Sequence, residues 1–150
     1  MMNKYVLLII FAVVVIGGGI AYKLFFLKPQ NATYSSGEVK AFTVTAKKDQ
    51  WAFAPEDIEV NRGDKVELTV INEDDYDHGI AIDAFGVSQR MPANQTIHVS
   101  FTATQPGDFA FYCSVPCGEG DTIVDGKKVH RGHFDMVGKL HVKDLISNPQ

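Results

Sequence analysis

The only two cysteines of the chain, Cys113 and Cys117, stand four residues apart in Cys-Ser-Val-Pro-Cys-Gly-Glu-Gly, and His133-Phe-Asp-Met136 follows after a gap. This cluster constrains the fold more than any local propensity does, because its donors need a partner from elsewhere in the chain. Thiolate and thioether sulfur favour Cu(I), and imidazole suits either copper oxidation state, so two Cys, a His and a Met point to copper before zinc or a hard cation. A mononuclear blue site uses one Cys with two His and a weak axial Met. Here a second thiolate sits on the same loop, and two sulfurs so placed can bridge a pair of metal ions. Each ion then lacks one imidazole, so a second His has to arrive from a distant segment. The competing reading is a disulfide between Cys113 and Cys117, natural for an even cysteine count in an exported domain. A disulfide explains neither His133 nor Met136.

The best second donor is His78, in Asp-Asp-Tyr-Asp-His-Gly-Ile-Ala-Ile over residues 74–82, where an acidic turn passes into an alternating apolar strand. With these residues in place the chain resembles the binuclear copper (CuA) domain of cytochrome c oxidase subunit II and of nitrous oxide reductase. That pattern is an upstream His followed by Cys-Ser-x-x-Cys-Gly-x-x-His-x-x-Met. The resemblance covers residues 39–142 and implies a cupredoxin fold holding two copper ions. It implies His78, Cys113, Cys117, His133 and Met136 as side-chain ligands and Val115 as the donor of a backbone carbonyl. Two departures stand out. Residues 121–132 (DTIVDGKKVHRG) interrupt the motif, and deleting them would restore Cys-Gly-Glu-Gly-His-Phe-Asp-Met. The insertion brings in His130 as a rival for the second imidazole, although only His133 keeps the His-x-x-Met spacing. Many members also carry Glu where this chain has Val115, and the metal-linked role of that side chain at the contact with the catalytic subunit is absent here. Trp51 falls where the family has an aromatic close to the copper site at which electrons enter; its alternative reading is a core or rim aromatic.

Residues 5–22 run without a charge, and residues 24–27 extend the run past Lys23. That length suffices for a helix across a bilayer. A cleaved signal peptide would have a shorter apolar region and a small-x-small site, and neither is present. The expected organisation is therefore a retained single-pass transmembrane anchor over 1–27, a polar linker over 28–38, a domain over 39–143 and a tail over 144–150. Beyond the linker the pattern has period two, predicting strands over 39–46, 58–60, 65–72, 79–82, 96–103, 109–113 and 137–142. Turns at 61–64, 91–94 and 105–108 divide them. Seven short strands without a helical pattern imply an all-β, Greek-key sandwich. His98 and His141 fall inside predicted strands and read as surface or packing residues.

The formal net charge is −4. Three cations, Lys4, Lys23 and Lys28, precede Pro29, which leaves the domain with eleven Lys and Arg against eighteen Asp and Glu. Such an acidic balance serves solubility, or it is a docking field for a basic electron donor such as a cytochrome c. No basic stripe exists, which excludes a nucleic-acid partner. Nothing in the chain pairs a nucleophile with its base, so bond-making catalysis is not expected. The expected function is one-electron transfer as subunit II of a membrane terminal oxidase, beside a catalytic haem-copper subunit and with the copper domain on the outer, periplasm-like side. Subunit II usually has two transmembrane helices and this chain has one run. Two alternatives are a membrane-tethered stand-alone copper carrier and a copper-delivery protein.

Overall fold

A computed structural model describes residues 3–26, 33–34 and 36–146. The chain divides into two compact units, residues 1–32 and 33–150. Among its described residues the first holds the helix α1 (Lys4–Phe26, 23 residues), with apolar side chains such as Ile9, Phe11, Val14 and Ile16 exposed. Among the described residues, no helix is long and apolar enough to cross a membrane. The structure thus supplies a helix where the anchor was expected and no membrane span. Leu27 and residues 28–32 of the expected linker lie outside the described residues.

The second unit is built from β1 (Thr33–Tyr34), β2 (Val39–Ala46), β3 (Phe53–Ala54), β4 (Asp57–Asn61), β5 (Lys65–Asn72), β6 (His78–Ile82), β7 (Val87–Met91), β8 (Thr96–Thr102), β9 (Gly107–Tyr112), β10 (Glu119–Val124), β11 (Lys127–Gly132), β12 (Val137–Lys143) and β13 (Leu145–Ile146). Its architecture is the expected all-β sandwich. One sheet has the order β3-β2-β5-β8 and the other β4-β12-β9-β6-β7. In β5, Val66, Leu68 and Val70 alternate inward while Lys65 and Glu67 face out, the half-buried strand pattern. β6 differs, since all five of its residues are buried. It lies between β9 and β7, and that double cover carries His78 into the interior.

The facing sheets meet through Phe53 and Phe111, whose ring centroids are 5.4 Å apart. Both rings are almost fully buried, among Val44, Ile80 and Leu140. Phe111→Ala is expected to lower the unfolding free energy by about 3–5 kcal/mol, the usual cost of emptying such a site. Denaturant unfolding measures it, and a loss below about 1 kcal/mol would mean that this pair does not hold the sheets together.

Four features differ from the expectation. β3 and β7 are additional strands. Thr33–Tyr34 pairs antiparallel with Leu145–Ile146, so parts of the expected linker and tail are joined as a short ribbon. Most consequential, residues 119–132, which hold the insertion, form a hairpin where no strand was predicted, with Glu119 opposite Gly132 at its base and Val124 opposite Lys127 at its tip. Asp125 and Gly126 make the turn, both with positive φ (50° and 74°). An Asp-Gly pair is the preferred occupant of a two-residue turn of that hand.

Candidate metal centre

The donors converge because three neighbouring strands end together. β6 lies beside β9 through Ala81 and Tyr112, and β12 lies beside β9 through Val137 and Tyr112. His78 opens β6, Cys113 follows β9 directly, and His133 and Met136 bracket the short 3-10 turn His133–Asp135 before β12. Backbone bonds fix the loop: Cys113 N–H donates to Met136 O at 3.0 Å and His133 N–H to Gly118 O at 2.9 Å.

Four donor atoms form a chain of contacts. His78 Nδ1 is 3.6 Å from Cys113 Sγ, Cys113 Sγ is 3.6 Å from Cys117 Sγ, and Cys117 Sγ is 3.6 Å from His133 Nδ1. Each sulfur of the pair therefore has an imidazole nitrogen against it, and the His78 ligand atom is within 4.8 Å of both sulfurs. The sulfurs are not bonded, since a disulfide would hold them about 2.05 Å apart, and both cysteines are free and buried. The ligand atoms of His78, Cys113 and Cys117 lie within 4.8 Å of one another. Val115 O lies 3.1 Å from Cys113 Sγ, which places that carbonyl beside the sulfurs. Met136 is fully buried in the same core cluster as both cysteines.

The other histidines stand apart. His130 is exposed on β11, where it contacts Asp121 across the hairpin at 3.0 Å. His98 is exposed beside the Thr69 hydroxyl at 3.4 Å. His141 lies between Asp108, at 2.7 Å, and Asp57, at 3.3 Å. The imidazole that the fold brings to Cys117 is that of His133.

A second set of residues holds these donors in place. His78 Nε2 donates to Asp74 Oδ2 at 2.7 Å, which leaves Nδ1 facing the sulfurs. Asp74 is buried; its other oxygen accepts from Asp49 N–H at 2.7 Å, and its own N–H donates to Asn72 Oδ1 at 3.0 Å. Asn72 Nδ2 in turn donates to the carbonyls of Tyr76 and Met91. Gly79 has no room for a side chain: a Cβ there would lie 2.3 Å from Ser114 Oγ. Its absence lets the cysteine loop come down on β6, where Gly79 N–H points at Cys113 Sγ at 3.5 Å. Trp51 Nε1–H donates to Cys117 O at 3.0 Å.

Protonation follows this geometry. The contact with Cys117 holds the Cys113 thiol well below the usual cysteine range, opposed by burial and helped by His78 and the Gly79 N–H. The same contact, with burial, pushes Cys117 up. Burial works against a charged His78, yet its bonds with Cys113 and Asp74 outweigh burial and raise its pKa. The metal-free pair thus presents one thiolate, the form that binds soft metals.

Sequence reasoning passed over Asp74, one of several acids in a run that reads as solvated. Its signal was a carboxylate four residues before a ligand His, since a ligating imidazole commonly gives its second N–H to a carboxylate. Asp74→Ala is expected to weaken copper binding by about 10–100-fold, the usual effect of removing such a partner. Competition with a Cu(I) chelator reads this, and an unchanged affinity would remove Asp74 from the site.

A family profile described as "Cupredoxin-like domain" matches residues 19–124 of this chain, well over half of it. The chain belongs to the cupredoxin-like domain family. The matched span of this cupredoxin-like chain ends before His133 and Met136. A nitrous-oxide reductase from Stutzerimonas stutzeri is 33% identical over 95 residues, which are 61% of this chain and 13% of the reductase. The cupredoxin-like chain thus spans only a small part of that relative. Auracyanin A, a blue copper protein of Chloroflexus aurantiacus, superposes with a TM-score of 0.54 at 19% identity, over 70% of this chain and 99% of auracyanin. The periplasmic domain of cytochrome oxidase subunit II from Bradyrhizobium japonicum gives 0.52 at 18% identity, over 77% and 87% of the two chains. At those identities the structures establish the fold. The donor chemistry fits copper, because two sulfurs and two imidazole nitrogens, with a buried thioether close by, are soft and borderline ligands. A copper-binding electron-transfer domain is the class to which fold and donor set belong.

Proposed function

We propose that this domain transfers single electrons through a binuclear copper site, as subunit II of a membrane terminal oxidase of the cytochrome c type. The observation that carries the proposal is the contact sequence imidazole, sulfur, sulfur, imidazole, each step 3.6 Å. His78 would serve one ion and His133 the other, Cys113 and Cys117 both, with the Val115 carbonyl and the Met136 thioether as weak outer donors. Bound there, a copper pair supplies a redox couple in which one unpaired electron is shared over two ions.

The chain's own part is rigidity. Asp74 keeps His78 from turning, Trp51 holds the Cys117 carbonyl, and Met136 O holds the Cys113 amide. Donors fixed this way keep their places whichever oxidation state they serve, so little reorganisation accompanies each transfer. Helix α1 is apolar all round, the character of a helix buried in protein or lipid. The described helix alone is not long and apolar enough to cross a membrane; the proposal of a single-pass anchor, with the copper domain on the outer, periplasm-like side, rests on the uncharged run over residues 5–22 and its extension over 24–27. A catalytic haem-copper subunit would then take the electron, and a basic cytochrome c would supply it.

One observation favours a second reading. The alignment to auracyanin A takes in nearly all of that small blue copper protein, as suits a tethered stand-alone carrier. Two measurements decide. Electron paramagnetic resonance of the oxidised, copper-loaded chain is expected to show hyperfine structure from two equivalent copper nuclei; a four-line pattern with one copper per chain sinks the binuclear site. Native purification is expected to bring haem with the chain, whereas recovery without haem favours the stand-alone carrier.

A further inference from the structure

The two imidazoles are not equivalent routes to the sulfurs. His78 is fully buried, whereas His133 is only half-buried on a turn it shares with Phe134. Phe134 is 91% exposed, the highest value among the described large apolar residues, and its ring centroid is 5.0 Å from that of His133. A single exposed ring is ordinary by itself; this one stands against an imidazole of the donor set, which is what makes it a contact point. Phe134 also walls a cleft of about 510 Å³ whose other sides include Pro116, Glu119 and Gly132. Glu119 and Gly132 are the opposed residues at the base of the β10–β11 hairpin. The inserted segment therefore helps to build this cleft.

The same hairpin covers Trp51. A Cβ on Gly120 would lie 2.7 Å from the indole Cη2, so the hairpin backbone rests on the ring, which is left 8% exposed. The indole N–H is turned inward to Cys117 O. Trp51 also has a positive φ of 46°, a conformation that costs a bulky residue about 1–3 kcal/mol and persists only where the surroundings hold it. Trp51 thus serves the loop from inside and offers a partner little surface.

We propose that the β10–β11 hairpin closes the Trp51 side and makes the cleft beside Phe134 the docking surface, which receives a protein one-electron carrier with an apolar contact patch rimmed by lysine and arginine. The basic rim follows from charge. Glu119 and Asp135 stand at the cleft and no Lys or Arg lines it; Lys128 is engaged with Asp121, and His130 lies 3.0 Å from Asp121 and 3.9 Å from Glu119, so the acids outnumber the one imidazole beside them. Apolar centres with complementary charged rims are the usual anatomy of such contacts. The reduced carrier gives up one electron and the site beneath His133 takes it; no bond is made or broken and no proton moves. This rests on the copper reading above.

The test mixes the full chain, in mild detergent and loaded with copper, with a reduced lysine-rich cytochrome c in a stopped-flow instrument. Phe134→Ala is expected to slow the second-order reaction by about tenfold or more, as loss of a central anchor does. Glu119→Lys should slow it as well and flatten its dependence on ionic strength. Glu67→Lys, the same charge change on the outer face of the other sheet, should slow it far less. All three variants should keep the wild-type copper spectrum and reduction potential. If the wild type lacks the two-copper spectrum, the copper reading falls and the docking proposal with it. If the spectrum is present, the docking proposal alone is overturned by any of three results: Phe134→Ala reacts at the wild-type rate, Glu67→Lys slows the reaction as much as Glu119→Lys, or the wild type takes no electron from the cytochrome.

Discussion

Cys113→Ser is expected to abolish the shared-electron state altogether. Cys113 Sγ is the junction of these contacts: it lies 3.6 Å from both Cys117 Sγ and His78 Nδ1, 3.1 Å from Val115 O and 3.5 Å from Gly79 N. A hydroxyl in its place keeps the approximate volume and the contact with Val115, so the fold should survive. It does not give a thiolate-like bridging donor, because a serine hydroxyl stays protonated at neutral pH and is a hard oxygen ligand. One sulfur then remains, with His133 Nδ1 3.6 Å from it and the His78 ligand atom within 4.8 Å, too few soft donors to hold two ions. The expected product binds one copper at the Cys117 and His133 end and shows a four-line spectrum. Copper content by elemental analysis and paramagnetic resonance measure the effect, with circular dichroism to show that the sandwich is intact. A folded Cys113→Ser protein that kept the two-copper pattern would show that Cys113 is not a bridge.

The donors were legible because soft-ligand chemistry is written in residue type and spacing. Cys113, Cys117, His133 and Met136 lie close in sequence, and the deficit of one imidazole sent the search to His78. β2 and β5 were legible because alternation survives wherever one face is buried. β7 was not, since only its end residues Val87 and Met91 are buried and the three between them are exposed, which leaves no alternation to read. The hairpin was obscured by its polar content: Asp121, Asp125, Lys127 and Lys128 resemble a solvated loop, and only the Asp-Gly turn announced it. Asp74 shared its acidic run with Asp75 and Asp77, and nothing in the sequence tells which of the three is buried. The cover that Gly120 lays over Trp51 joins segments remote in sequence, and no local pattern encodes such a contact. What escaped the sequence reading is thus mainly what depends on tertiary proximity.

His130→Ala and His133→Ala are expected to part completely, and the pair decides whether the insertion changed the ligand set. His130 is exposed, faces Asp121 across the hairpin, and its pKa is raised first by that bond and further by the neighbouring carboxylates. Removing it costs only an exposed ion pair, which contributes little, and should leave copper content and spectrum unchanged. His133 is different, because its Nδ1 is the nitrogen donor 3.6 Å from Cys117 Sγ and its N–H fastens the turn to Gly118 O. Only the side chain is lost in His133→Ala, so the backbone bond remains and the loop keeps its anchor. One end of the sulfur pair then has no imidazole, and copper affinity there should fall by more than the ~100-fold that loss of an outer-shell partner costs. Titration with Cu(I) chelators gives the affinity, and paramagnetic resonance gives the nuclearity. If His130→Ala emptied the site while His133→Ala left it intact, the hairpin would have to fold over the cysteines when metal binds, and the geometry described for its base would belong to the metal-free chain alone.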